Sequence, residues 1–171
     1  MKKHPTLGCC GIDCGLCPRY YTDGSSRCPG CGGEGFEYVH PPCSMKTCCA
    51  DKHGFAACGQ CAEFPCAKYA DRAKIERDSF VTHKRIFCNH GLIKVHGFDW
   101  FIAEQNKRVA ILREMLARFD DGRSKSFFCL AAALLRTEHL QAALDEADIK
   151  AVKAALRKYA KIEGVELALK K

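Results

Sequence analysis

Cys28-Pro29-Gly30-Cys31-Gly32-Gly33 is the stretch on which the fold of this chain turns. Two cysteines stand two residues apart, a proline opens the turn between them, and a glycine supplies the positive φ that a tight knuckle needs. Such a turn lets both sulfurs face one metal ion while its amides point at the sulfurs. Cys14-Gly15-Leu16-Cys17 and Cys58-Gly59-Gln60-Cys61 repeat the spacing, and Cys43-x4-Cys48 and Cys61-x4-Cys66 add longer pairs. With Cys9, Cys10 and Cys49, twelve of the fourteen cysteines fall between residues 9 and 66. Three knuckles in so short a span predict more than one four-cysteine site.

Large apolar residues are sparse around them, chiefly Leu7, Ile12, Leu16, Tyr20, Tyr21, Phe36, Tyr38, Val39, Met45, Phe55 and Phe64. A core that thin does not offset the entropy of ordering sixty residues, which makes metal coordination the expected staple. On this reading, metal removal unfolds residues 9–66 and leaves the rest largely intact. A disulfide framework is the competing use of cysteine, and the compartment decides between them. No apolar stretch follows Lys2-Lys3 as in a signal peptide, and the longest apolar run, Phe127 to Leu135, is too short to span a bilayer. The expectation is a cytoplasmic protein with reduced, metal-bound thiols and no membrane contact.

From Pro65 the pattern changes. A helix is expected from Cys66 to Arg77, entered directly from the last knuckle. A second is expected from an N-cap at Ser79, with Val81, Arg85, Cys88, Leu92 and Val95 on one face and Gly97 as its stop. The clearest spans 99–119, where Ile102, Val109, Leu112, Leu116 and Phe119 recur opposite Glu104, Lys107, Arg108 and Arg118. Asp120-Asp121-Gly122 ends it. Ser124 or Ser126 then caps a short helix to Leu135, apolar nearly all round and so central to the core. Thr137 and Asp148 are candidate caps for two more, the last burying Val152, Leu156 and Tyr159. The alternating tail Val165-Glu-Leu-Ala-Leu suits a short strand. The fold class expected is a small metal-stabilised cysteine-rich module of knuckles with little regular structure (1–66), at most short hairpins, followed by an all-α region (67–171) of five to six helices packed on it.

Four thiolates suit zinc, and iron–sulfur clusters also use four: Cys17-Pro18 resembles the Cys-Pro that closes ferredoxin cluster motifs. Cys10-x3-Cys14-x2-Cys17 has the spacing of radical S-adenosylmethionine enzymes, but the alternating strands and helices of those enzymes do not follow. Zinc, about two ions, is the first reading and [4Fe–4S] clusters the alternative.

Cys10-Gly-Ile-Asp-Cys14-Gly-Leu-Cys17-Pro-Arg-Tyr, Cys28-Pro-Gly-Cys31, Cys43-Ser-Met-Lys-Thr-Cys48 and Lys52-His-Gly with Cys58-x2-Cys61-x2-Phe64-Pro65-Cys66 together resemble domain of unknown function 3795, a cysteine-rich family of bacteria and archaea. The resemblance covers about residues 9–80; the helical part is similar to an extension that some members carry, including Asp121-Gly-Arg-Ser-Lys-Ser-Phe-Phe-Cys129. It implies no established activity. It does imply a ligand set: Cys10, Cys14, Cys17, Cys28, Cys31, Cys43, Cys48, Cys58, Cys61 and Cys66. Cys9, Cys49, Cys88 and Cys129 fall outside that pattern, and Cys49 stands where similar sequences tend to have alanine, which marks it as a spare thiol.

The other candidates are weaker. His40 and His53 are expected at the surface or behind the ligands, and His83, His90 and His96 as solvated helix positions. Cys88 and Cys129 read as small core hydrophobes, and Trp100-Phe101 as core. Gly122-Arg-Ser-Lys-Ser126 offers a helix start with two cations, a candidate anion site. Residues 1–78 carry ten Lys/Arg against nine Asp/Glu and the remainder seventeen against eleven, so the net charge of +7 sits mainly on the helices. A protein partner is the leading expectation and nucleic acid a subsidiary one. No nucleophile–base pair or paired carboxylates stand out. The expected function is a non-enzymatic metal-thiolate module supporting a binding surface, with electron transfer or redox sensing as the alternative.

Overall fold

The computed structural model describes residues 1–69 and 77–170. The cysteine-rich segment is built from single turns: 3-10 turns at Cys14–Leu16, Pro18–Tyr21 and Cys58–Gln60, α1 (Phe36–Val39), and α2 (Ser44–Lys46), which runs on as a π-helical turn over Thr47–Lys52. The expected short hairpins do not form; among the described residues there is no strand. Among the described residues, five helices of eight residues or more follow: α3 (Ile86–His96), α4 (Phe98–Phe119), α5 (Lys125–Leu134), α6 (Thr137–Leu144) and α7 (Ile149–Ile162). The helix expected from Cys66 to Arg77 lies mostly outside the described residues.

The 22-residue α4 organises the rest. It packs on α3, α5 and α6, and the Cys14–Leu16 turn sits against α4 and α5. Its apolar stripe Val109, Leu112, Met115 and Phe119 meets Phe128, Leu135, Leu140, Leu144, Val152 and Leu156 in one core. Within α5, Phe128 to Ala133 are buried without a break, as its all-round apolar sequence predicts. Leu16, from between two cysteines, is buried in this same core, and Leu7 joins Ile93, Phe101 and Ile102 in a second one. The thiol-bearing segment and the helices therefore share interior.

A buried polar seam fixes their relative position. Asn89 Nδ2 donates to Asp13 Oδ2 and Gln105 Nε2 to Asp13 Oδ1, both at 2.8 Å, so each carboxylate oxygen has a donor from a different helix. The same two amides reach Gly11 O and Thr6 O. A buried carboxylate left without donors would cost about 1–3 kcal/mol or more, so these pairings specify one docking.

Several expectations need correction. The helix sought from Ser79 begins at Ile86. The Asp78 carboxylate accepts from His83 N and the Ser79 hydroxyl turns to Val81 O, so residues 78–85 are spent on a turn. Its buried face is Ile86, Asn89, His90 and Ile93, whereas Val95 and Cys88 are exposed. Gly97 does stop it, at φ 88°. Cys129 is buried as expected, and Phe101 is buried while Trp100 stays half exposed, its ring tilted against His96. Arg108, expected on a solvated face, instead donates to Ala132 O and Leu135 O at the end of α5. The tail forms no strand: Lys170 exchanges hydrogen bonds with Asp78 while Val165 and Leu167 pack on the main core.

Candidate metal centre

None of the fourteen cysteines is in a disulfide. The ten patterned cysteines and Cys9 and Cys49 come together in two regions joined by a row of sulfurs.

The first region is made by the turn 14–17 and the knuckle 28–31. Burial pushes the Cys14 thiol well above its ordinary value, and the neighbouring sulfurs of Cys10, Cys28 and Cys17 push it the same way. Two amide hydrogen bonds, from Arg19 and Tyr20, favour the thiolate of Cys17 against its burial, and the Cys31 amide does the same for Cys14. Crowded sulfurs with amides turned toward them resist ionisation together unless a cation joins them, since a bound divalent ion reverses both the burial and the repulsion terms.

Gly30 makes this knuckle fit. At φ +82° it lies so close to the N-terminal segment that a Cβ would come 2.3 Å from Pro5 O. The Cys31 amide donates to that same carbonyl at 2.9 Å.

The second region is a pocket of about 280 Å³. Cys48, Cys49, Cys58, Cys61 and Cys66 line it, with Met45, His53, Phe55 and Phe64 among its other walls. Cys43 packs nearby with Cys10, Met45 and Cys66. His53 stands exposed at the wall of this pocket, its ring parallel to Phe55, and His40 is exposed and stacked on Phe36.

Between the regions runs the row. Cys31 Sγ donates to Cys9 Sγ at 3.9 Å, Cys49 is buried in the same cluster with its own S–H donated to Phe55 O, and Cys58 packs against them. Cys31 and Cys49, with the Lys2 ammonium in the same sense, hold the Cys9 thiol far below its ordinary value. Cys58 is held to about 7, first by Cys49 and then, against burial, by the Tyr69 hydroxyl.

Behind the 58–61 knuckle stands His90, fully buried on α3. Gly59 N–H donates to its Nδ1 at 3.0 Å, so that nitrogen carries the lone pair, and the ring proton sits on Nε2, 2.8 Å from the Tyr69 hydroxyl. The Tyr69 hydroxyl, accepting from His90, favours the thiolate of Cys58 by hydrogen bonding, giving a His90–Tyr69–Cys58 chain. Both neighbouring glycines are required: a Cβ at Gly11 would come 2.7 Å from His90 Nε2, and one at Gly59 2.9 Å from Nδ1. The expectation that His90 is solvated is thus overturned. The glycines that directly follow Cys10 and Cys58 were the available signal.

The sulfurs stand in pairs and around a pocket. Among the described residues, no group of three or more histidine, cysteine or carboxylate side chains is arranged to hold a metal ion as the side chains stand. The donor set nevertheless fits a thiophilic metal: it is all sulfur, mostly shielded from water, and supplied with backbone donors.

Residues 6–71 match the family model described as a protein of unknown function (DUF3795). The cysteine-rich segment is similar to DUF3795. No curated protein and no solved structure matches the chain. The DUF3795 match takes in all twelve clustered cysteines and ends before α3, the helix that supplies His90 and Asn89.

The candidate anion site at 122–126 is answered from within. Gly122 N–H donates to Asp120, and Arg123 N–H and the Ser124 hydroxyl to Asp121. Those bonds, Ser124 first, hold the Asp121 carboxyl down at about 2. The chain's own carboxylates thus occupy three of the donors just ahead of α5. Among the described residues no helix is long and apolar enough to cross a membrane.

Proposed function

We propose that the DUF3795-like region is a multi-site metal-thiolate module whose ions, zinc in the first instance and about two from the ten patterned cysteines, support a protein-binding surface. The observation that carries this reading is the crowding of Cys10, Cys17 and Cys28 around half-buried Cys14, with amides directed at the Cys14 and Cys17 sulfurs. Neutral thiols gain little from such donors, whereas thiolates on a cation gain about twice as much from a charge-assisted bond. When bound, zinc supplies charge neutralisation and a four-point crosslink. The chain supplies the sulfurs, the amide donors and, through Leu16 and Leu7, the anchorage to the helices.

A second reading is favoured by the pocket. A single ion held by four thiolates at about 2.3 Å leaves no space between the sulfurs. Walls bearing five cysteines around about 280 Å³ suit a larger inorganic core, and an iron–sulfur cluster bound through Cys48, Cys58, Cys61 and Cys66 would fill such a space. Electron transfer or redox sensing would then be the role.

Elemental analysis of full-length protein purified without air separates the two. A colourless protein with about two zinc ions or more per chain supports the first reading. A brown protein with stoichiometric iron and sulfide replaces it with the second, and protein with neither metal overturns both.

A further inference from the structure

Four cysteines lie outside the ten-residue pattern, and the fold treats them in two ways. Cys88 is exposed on α3, and Cys129 is buried in the helical core on the side of Cys17, outside the row of sulfurs. Cys9 and Cys49, forty residues apart in the chain, are both buried and in contact with each other. They form the inner part of the row Cys31–Cys9–Cys49–Cys58, whose outer members belong to two different knuckles.

We propose that Cys9 and Cys49 are metal ligands, completing with Cys31 and Cys58 a further four-thiolate site for a divalent ion with a filled d shell, zinc being the ordinary one. The inference rests on the metal-thiolate reading above and adds to it a site made by residues outside the pattern. Three observations carry it. A tetrahedron of sulfurs about 2.3 Å from zinc has edges of about 3.8 Å, and Cys31 and Cys9 stand 3.9 Å apart.

The row is also buried as one cluster, Cys9, Cys31 and Cys49 together with Cys58 packed against them. The single Cys49 S–H goes to Phe55 O, so it serves none of the neighbouring sulfurs. Lone pairs left over in a buried site are what a cation takes up. Finally, the surplus negative charge of four thiolates on one divalent ion meets the positive charge of Lys2, which acts on Cys9 and is anchored by its bond to Leu7 O. Drawing the row onto one ion asks for rotation about χ1 of these cysteines, the one torsion that lies before each sulfur.

The test uses the full-length chain loaded with cadmium-113 in the absence of air. Proton–cadmium correlation spectra are expected to link the β-protons of Cys9 and Cys49 to one cadmium resonance shared with Cys31 or Cys58. Correlations from patterned cysteines alone would overturn the proposal, as would a disulfide at Cys9 or Cys49 in protein kept from air. A Cys9→Ser/Cys49→Ser double variant should carry one ion fewer per chain than wild type, while Cys88→Ser carries the same number. An unchanged count in the double variant removes this site and leaves the module reading standing. A wild-type chain that takes up no metal sinks both. Because the spectra are recorded on the wild-type fold, misfolding of the double variant cannot decide the outcome.

Discussion

At Gly30 a single methyl group meets the backbone of another segment. Its left-handed conformation alone would cost an alanine about 1–2 kcal/mol, and the overlap with Pro5 O adds a strain of about 1–3 kcal/mol. Gly24 has nearly the same φ, +77°, but nothing within 4 Å of its would-be Cβ. Gly30→Ala should therefore lower the urea midpoint of the metal-loaded protein about two to three times as much as Gly24→Ala, and equal shifts would mean that the Pro5 contact contributes nothing. The role of Gly30 in a turn was legible from Cys28-Pro29-Gly30-Cys31, since a knuckle is a local affair. Its clash partner was not, and neither was the burial of His90. The partners of His90, at Gly11, Gly59 and Tyr69, lie 79, 31 and 21 positions away, and no periodicity within α3 encodes them. The meeting of Cys9 and Cys49 was hidden for the same reason: spacing reveals pairs on one turn, not pairs brought together by two.

Among the elements, helices with a strong apolar stripe were read correctly and those that begin in a polar network were not. α4 spans Phe98–Phe119 against an expected 99–119, because its stripe is long and regular. α3 starts seven residues later than its apparent cap, because Ser79 and Asp78 bond within a turn. Ser124 holds the N-cap position of α5, yet its hydroxyl donates to Asp121 instead of accepting from the helix. α6 begins at Thr137 itself, and the Glu163 carboxylate takes the Arg136 amide. Asp148 alone caps as foreseen, accepting from Ala151 N at 2.8 Å. Asp148→Ala should cost about 1 kcal/mol, and Leu156→Ala, a truncation at a fully buried position of the same helix, about 2–5 kcal/mol. Thermal or urea unfolding of the two variants checks the ranking; a cap variant as damaging as the core variant would contradict it.

For the whole molecule, shared interior changes what metal removal should do. A thin-cored module beside independent helices would melt alone. With Leu16 in the helical core and Asp13 tied to Asn89 and Gln105, chelation under reducing conditions should also weaken the helices. The expected outcome is loss of amide protection over residues 9–66 together with faster hydrogen exchange in α4 and α5. Unchanged exchange in those helices would show that the two parts are energetically separate. The Leu16 anchor also has a consequence for how the protein is made. The residues that bury it, from Val109 to Leu156, leave the ribosome long after the last clustered cysteine, by about 5–20 s at ordinary synthesis rates. For that interval a dozen nascent thiols have no finished interior to retreat into. The order of the chain therefore sets a window during biosynthesis in which the wrong metal, or an oxidant, competes for sulfurs that the completed protein keeps to itself.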